Sequence, residues 1–117
     1  MAKKRNIISS FVFAFQGIRD GLKNEPNLKI HFALGLVAIL LAWFLRFSHI
    51  EWAILILTIF LVITLEFINT VIEKIVDTLS PQITESARIT KDISAAVVLI
   101  GAVASIVVGL FLFLPKL

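Results

Sequence analysis

The chain has 117 residues, 59% of them hydrophobic and 16% charged, with no cysteine and a formal net charge of +3. A water-soluble domain carries about a quarter charged residues, so this composition excludes an ordinary soluble fold and points to an integral membrane protein. Disulfides, thiolate chemistry and Cys-ligated metal centres are excluded outright. The positive balance, crowded at Lys3, Lys4 and Arg5, suits anionic lipid at a membrane surface rather than nucleic acid.

Ile7, Phe11, Phe15, Ile18 and Leu22 recur at helical steps and form one apolar stripe. Gln16, Arg19, Asp20 and Lys23 fall largely away from it. The spacing predicts an amphipathic helix over 7–23, either lying in the membrane interface or packing its stripe on the protein's own bundle. The polar residues inside this stretch argue against a cleavable signal peptide, so the chain is expected to stay whole as a single domain, 1–117. Phe13 lies on the far side of the stripe, where it contacts lipid or covers a ligand. Asn24-Glu25-Pro26-Asn27 then breaks the pattern, because Pro26 lacks a donor and pushes Glu25 toward an extended backbone. Glu25 is thus expected at a hinge.

The first membrane span is expected over 30–47, with His31 near its entrance as an interface or capping residue and Trp43 near its exit. A very short connection through Arg46-Phe47-Ser48-His49 makes the next helix return antiparallel. That helix is expected over 51–79, longer than an untilted span needs. Ser80-Pro81 ends it, the stretch to Thr90 reads as a polar connection, and Lys91-Asp92 open a last span over 93–114. Gly101, Ala102, Ala104, Ser105 and Gly109 give this span a small-residue face suited to close packing.

Basic residues flank the start of the first span and the connection after the second, whereas the other side offers only Arg46 and Lys116. The positive-inside rule therefore places the N-terminus and the connection after the second span in the cytoplasm, and the C-terminus outside. Glu25, Glu66, Asn69, Glu73, Asp77, Lys91 and Asp92 then all belong to the cytoplasmic half.

Glu66, Asn69, Glu73 and Asp77 are spaced three, four and four residues apart. At ~100° per residue they share one helix face, over roughly 16 Å of axis. A charge at bilayer depth costs ~2.5–3.5 kcal/mol on insertion scales, so such a strip needs partners, water or metal. Carboxylates with an amide between them suit Mg²⁺ held together with substrate phosphates. A lysine at the same depth supplies a point charge, and a further carboxylate can deprotonate a hydroxyl. No Walker loop, GxGxxG or HRD-type catalytic loop is present. The pattern alone leaves two classes open: phosphoryl transfer to a lipid alcohol, or an oligomeric ion or proton conductor with a polar core. Three thin helices supply few walls for a site, so oligomers are expected in either case.

The run Glu66-Phe67-Ile68-Asn69-Thr70-Val71-Ile72-Glu73-Lys74-Ile75-Val76-Asp77 resembles the signature of the prokaryotic diacylglycerol kinase family, E-[LIF]-x-N-[TS]-x-[IV]-E-x-x-[IV]-D. Gly17-Ile18-Arg19, Asn24-Glu25 and Lys91-Asp92 extend the likeness over nearly the whole chain. The Ile50-Glu51-Trp52 turn and the C-terminal ending are similar to the Gram-positive branch, mainly undecaprenol kinases. The resemblance implies an all-α membrane fold, an N-terminal amphipathic surface helix plus three transmembrane helices in a homotrimeric bundle. It implies ATP-dependent phosphorylation of a membrane lipid alcohol, with undecaprenol the expected acceptor and diacylglycerol the alternative. Glu66 matches the proposed catalytic base, Glu25 and Glu73 the ligands of ATP-bound Mg²⁺, and Lys91 and Asp92 the nucleotide contacts. Asn69, Asp77, Arg19 and Asn24 match supporting polar positions. Phe13, Asn6, Lys29 and His31 depart from the Gram-negative branch, which has tyrosine, arginine, arginine and glutamate there.

Overall fold

The computed structural model describes residues 6–117, so Lys3, Lys4 and Arg5 lie outside the described residues. Four α-helices follow one another in chain order, α1 (Ile7–Asn24), α2 (Pro26–Phe44), α3 (His49–Leu79) and α4 (Glu85–Phe113), and a 3-10 turn closes the chain. Local chemistry sets the helix starts. Asn6 caps α1 by accepting from Ser9 N at 2.8 Å, and Ser9 Oγ accepts in return from Asn6 N. Ser48 and Glu51 form the same reciprocal box on α3. Thr84 caps α4 through Ala87 N.

Three helices, α2, α3 and α4 with its terminal turn, are long and apolar enough to cross a membrane. Their outward faces carry Leu36, Val37, Phe60, Leu99, Ile100 and Phe111, all exposed, a surface that only lipid or further protein accommodates. The protein is a membrane protein. At 31 residues, α3 is about 46 Å long against a hydrocarbon core of about 30 Å. The excess is close to the length of the Glu66–Asp77 strip.

Helices α2 and α4 pack on α3, α1 packs chiefly on α2 and touches α3 at one point, and a glycine marks each close approach to α3. A Cβ on Gly21 of α1 would stand 2.8 Å from the Phe67 ring, one on Gly35 of α2 3.1 Å from Ile59, and one on Gly101 of α4 2.5 Å from Leu65. Gly109 meets nothing within 4 Å, so only part of the expected small-residue face is used inside one chain. No residue of α1 is buried, and its stripe residues Ile7, Phe11 and Phe15 are open.

The membrane helices all start earlier than expected, and α2 also ends earlier, at Phe44 rather than 47, where the chain turns through Leu45 and Arg46. Pro26 does not delay α2 but starts it, since the first helical position needs no donor. Glu25, extended at φ −114° and ψ 106°, is the single non-helical residue between α1 and α2. The stretch read as a polar connection up to Thr90 is mostly helix, because Thr84 caps α4 and the helix begins at Glu85. Arg88 knits this polar first turn by pairing with Glu85 and with Asp92.

The far end of the bundle is sealed by Ala42, Phe47, Leu55 and Leu112, with Trp52 and Phe113 packed against them. Phe47 meets Phe113 at 4.9 Å and Trp52 edge-on at 6.0 Å between ring centroids. Lys116 Nζ reaches Glu51 Oε1 at 2.9 Å. The turn before α3 is a Schellman motif, with Phe47 N–H donating to Ala42 O and Arg46 N–H to Trp43 O. Arg46 occupies the left-handed position, φ 57°, where glycine is favoured. Arg46→Gly should therefore raise unfolding stability in detergent by about 0.5–1 kcal/mol. Arg46→Val should lower it by at least about 1 kcal/mol, since branched residues resist this conformation. Thermal or denaturant unfolding followed by circular dichroism checks both.

Candidate functional site

The polar strip of α3 is assembled as its spacing requires, and it faces α4 and α2. Glu66 is buried, 3% exposed, and its Oε2 stands 3.5 Å from His31 Nε2 on α2. One turn on, Asn69 Nδ2 donates to Glu73 Oε1 at 2.7 Å. The other end of the same amide, Oδ1, accepts from the buried Ser94 of α4 at 2.7 Å. At the wet end, Lys91 of α4 donates to Asp77 Oδ1 at 2.8 Å. The order along α3 is thus a buried carboxylate, a half-buried amide–carboxylate pair, and an exposed ion pair.

Two contributors were not singled out for the site from the chain. His31 looks like an interface residue when only its nearness to the start of α2 is considered. Its place on the stripe Leu28, His31, Gly35, Ala42 is the signal that finds it, since the other three of these are buried. Ser94 sits three residues past Lys91, on the same face of α4, and only knowledge that the helix already runs through Lys91 reveals that relation.

Other expected residues lie elsewhere. Asp92 pairs with Arg88 at 2.8 Å and lines, with Asp77, Arg88 and Lys91, a cavity of about 240 Å³ at the wet end of the strip. Arg19 is exposed and lies 3.7 Å from Asp20. Asn24 and Glu25 line a second feature, an open cleft of about 640 Å³ between α1, α2 and α3. Its floor is Phe32, Phe60, Ile63 and Phe67, and its rim carries Asp20, Glu25 and Lys74. A cleft of this size, mostly apolar with a few charged groups at the edge, fits part of a lipid with its head group outward. From α3 the cleft is lined toward its polar end by Thr70, Val71 and Lys74, and Glu73 is not part of this lining. Among the described residues no group of three or more His, Cys, Asp or Glu side chains is arranged to hold a metal.

Residues 12–113 match the family model for prokaryotic diacylglycerol kinase. The chain is 37% identical to an undecaprenol kinase of Bacillus subtilis over 108 residues, covering 92% of this chain and 88% of that one. It is 38% identical to a diacylglycerol kinase of Synechocystis over 113 residues, covering 96% of this chain but only 65% of that longer protein. A diacylglycerol kinase of Haemophilus influenzae is 31% identical over 109 residues, 92% of each chain. Three membrane-length apolar helices and these matches together define a membrane lipid kinase. The chain belongs to the prokaryotic diacylglycerol kinase family.

Because Asn69 is bonded at both ends, Ser94, Asn69 and Glu73 should behave as one unit. Ser94→Ala and Asn69→Ala are each expected to destabilise the protein by about 1–2 kcal/mol, with a coupling near 1 kcal/mol between them. A double-mutant cycle of unfolding in detergent measures the coupling.

Proposed function

We propose that this protein transfers the γ-phosphoryl group of MgATP to a membrane lipid alcohol, with undecaprenol the preferred acceptor and diacylglycerol the alternative. The observation that carries the reading is the graded strip on α3, where the sole buried carboxylate among the described residues lies deepest and the exposed Lys91–Asp77 pair shallowest. A lipid hydroxyl arrives from the membrane and a nucleotide from water, and such a gradient is where the two meet. The undecaprenol kinase of Bacillus subtilis supports the acceptor, while the diacylglycerol kinases among the relatives keep the alternative in play.

In this reading Glu66 accepts the proton of the lipid hydroxyl as its oxygen attacks the γ-phosphorus, and ADP leaves with the bridging oxygen. Lys91, held by Asp77, keeps a positive charge beside the phosphates. Magnesium enters with its nucleotide as part of the substrate. Glu73 has one oxygen taken by Asn69 and a second one left, and one carboxylate plus phosphate oxygens is the set Mg²⁺ uses. Glu25 of a neighbouring copy completes that set, so the working unit is a homotrimer with sites shared between chains. Asp92, Arg19 and Asn24 contribute from those shared surfaces.

The N-terminus and the α3–α4 turn lie in the cytoplasm, and the single domain spans the whole chain. Helix α1 rests in the interface with Ile7, Phe11 and Phe15 toward lipid, and Lys3, Lys4 and Arg5 meet anionic head groups. Between Glu51 and Glu66, α3 carries only Thr58 and Thr64 as polar side chains, which gives no through-path for an ion conductor.

Purified protein in mixed micelles with MgATP should phosphorylate undecaprenol faster than diacylglycerol. Phosphorylation of neither overturns the reading. Glu66→Gln should lower kcat by about 10²–10⁴-fold with the KM for MgATP nearly unchanged. Glu73→Gln should instead raise the KM for MgATP and the Mg²⁺ concentration needed for half-maximal rate.

A further inference from the structure

We propose that His31 is a positioning residue for Glu66, its Nε2–H holding one carboxylate oxygen so that the other stays ionised and aimed at the lipid hydroxyl. The proposal rests on the reading of Glu66 as the proton acceptor. Three observations carry it.

The first is that Glu66 depends on His31. Its side chain is 4% exposed, and among the described residues His31, at 3.5 Å, is the one cationic or N–H-bearing side chain within ion-pair reach of it. The neighbouring polar groups are committed elsewhere. Asn69 spends its amide on Ser94 and Glu73, and the Thr70 hydroxyl donates to the backbone carbonyl of Glu66 rather than to its carboxylate. An ionised carboxylate in low-dielectric surroundings is costly unless a donor faces it, and only the ionised form accepts a proton.

The second is the placement of His31. On α2 it lies between Leu28, fully buried, and Gly35, where a Cβ would stand 3.1 Å from Ile59. Leu28 packs toward Gly21 of α1 and Gly35 toward Ile59 of α3, so His31, three residues past one and four before the other, lies on the inward face of α2 beside the α2–α3 contact. The ring is itself mostly enclosed, with 20% of its side chain exposed.

The third is geometry. The carboxylate oxygen paired with Nε2 is Oε2, at 3.5 Å. When Oε1 takes the hydroxyl proton, the lipid O–H bond breaks as the O–P bond forms, and the proton remains on Glu66. The imidazole neither gains nor loses a proton in that step. It fixes the carboxylate's rotamer and supports its charge beforehand, as outer-shell hydrogen bonds orient catalytic groups elsewhere.

The experiment compares His31→Leu, His31→Gln and Glu66→Gln as full-length proteins in mixed micelles, with kcat and the KM for MgATP measured on undecaprenol or, failing that, diacylglycerol. The glutamine at position 31 keeps an N–H donor, and the leucine does not. Expected is a loss in kcat of about 10–100-fold for His31→Leu with the KM for MgATP within about twofold of wild type, and recovery to within about threefold for His31→Gln. His31→Phe stands in if the leucine variant loses its helical circular dichroism. An unchanged kcat in the apolar variants, equal loss in leucine and glutamine variants, or a loss confined to the KM for MgATP overturns the proposal. Full activity of Glu66→Gln instead overturns the base assignment itself, and so separates the two failures.

Discussion

A carboxylate enclosed among apolar helices dictates much of what surrounds it. Glu66 is buried, and the chain sets an imidazole on α2 facing it and a series of hydrogen-bonded polar groups leading outward along α3. That run needs α4 at close range, which Gly101 permits, and it needs α2 at close range, which Gly35 permits. Replacing Glu66 with an apolar residue of similar volume would relieve the bundle of a buried charge, often a neutral or stabilising change. Its retention, with this much structure devoted to it, is therefore a sign of chemistry rather than of stability.

The two ends of the molecule divide the work. At the far end, aromatic packing around Phe47 and the Lys116–Glu51 ion pair close α2, α3 and α4 on one another. At the strip end the same helices stay separated enough to leave the cleft below α1. Stability is concentrated where no polar side chain has to move, which leaves the other end free to admit a head group and a nucleotide. The open stripe of α1 and the exposed apolar faces of the spans complete a picture in which a single chain is visibly unfinished.

Much of this was legible in the chain, and the failures have physical causes. The spacing of Glu66, Asn69, Glu73 and Asp77 predicts one face because the helical period is fixed, and α3 obeys it without a break. The hinge at Glu25 follows from the steric demand of Pro26 on its neighbour. The start of α4 was missed because polarity was taken for irregular backbone. A helix emerging from a membrane is polar wherever it meets water, and the Thr84 cap is the only local mark of where it begins. The nearness of His31 to Glu66 is hidden for a related reason. Depth in the membrane is readable from distance along the chain, but which face a residue takes depends on the neighbour that packs there. Asp92 shows the same dependence, for its pairing with Arg88 is local to α4, whereas the cavity it shares with Asp77 exists only once α3 and α4 are packed.

The junction between α1 and α2 has a consequence for how such a protein can vary. With Glu25 alone between two helices, there is no slack in which to absorb an added or missing residue. One extra residue would swing α1 about its axis by about 100°, taking Gly21 off the Phe67 ring and presenting a side chain where that ring now sits. Side chains at this corner are free to drift in identity far more readily than the chain is free to drift in length. The corner acts as a ruler, and the whole surface helix is read out from it.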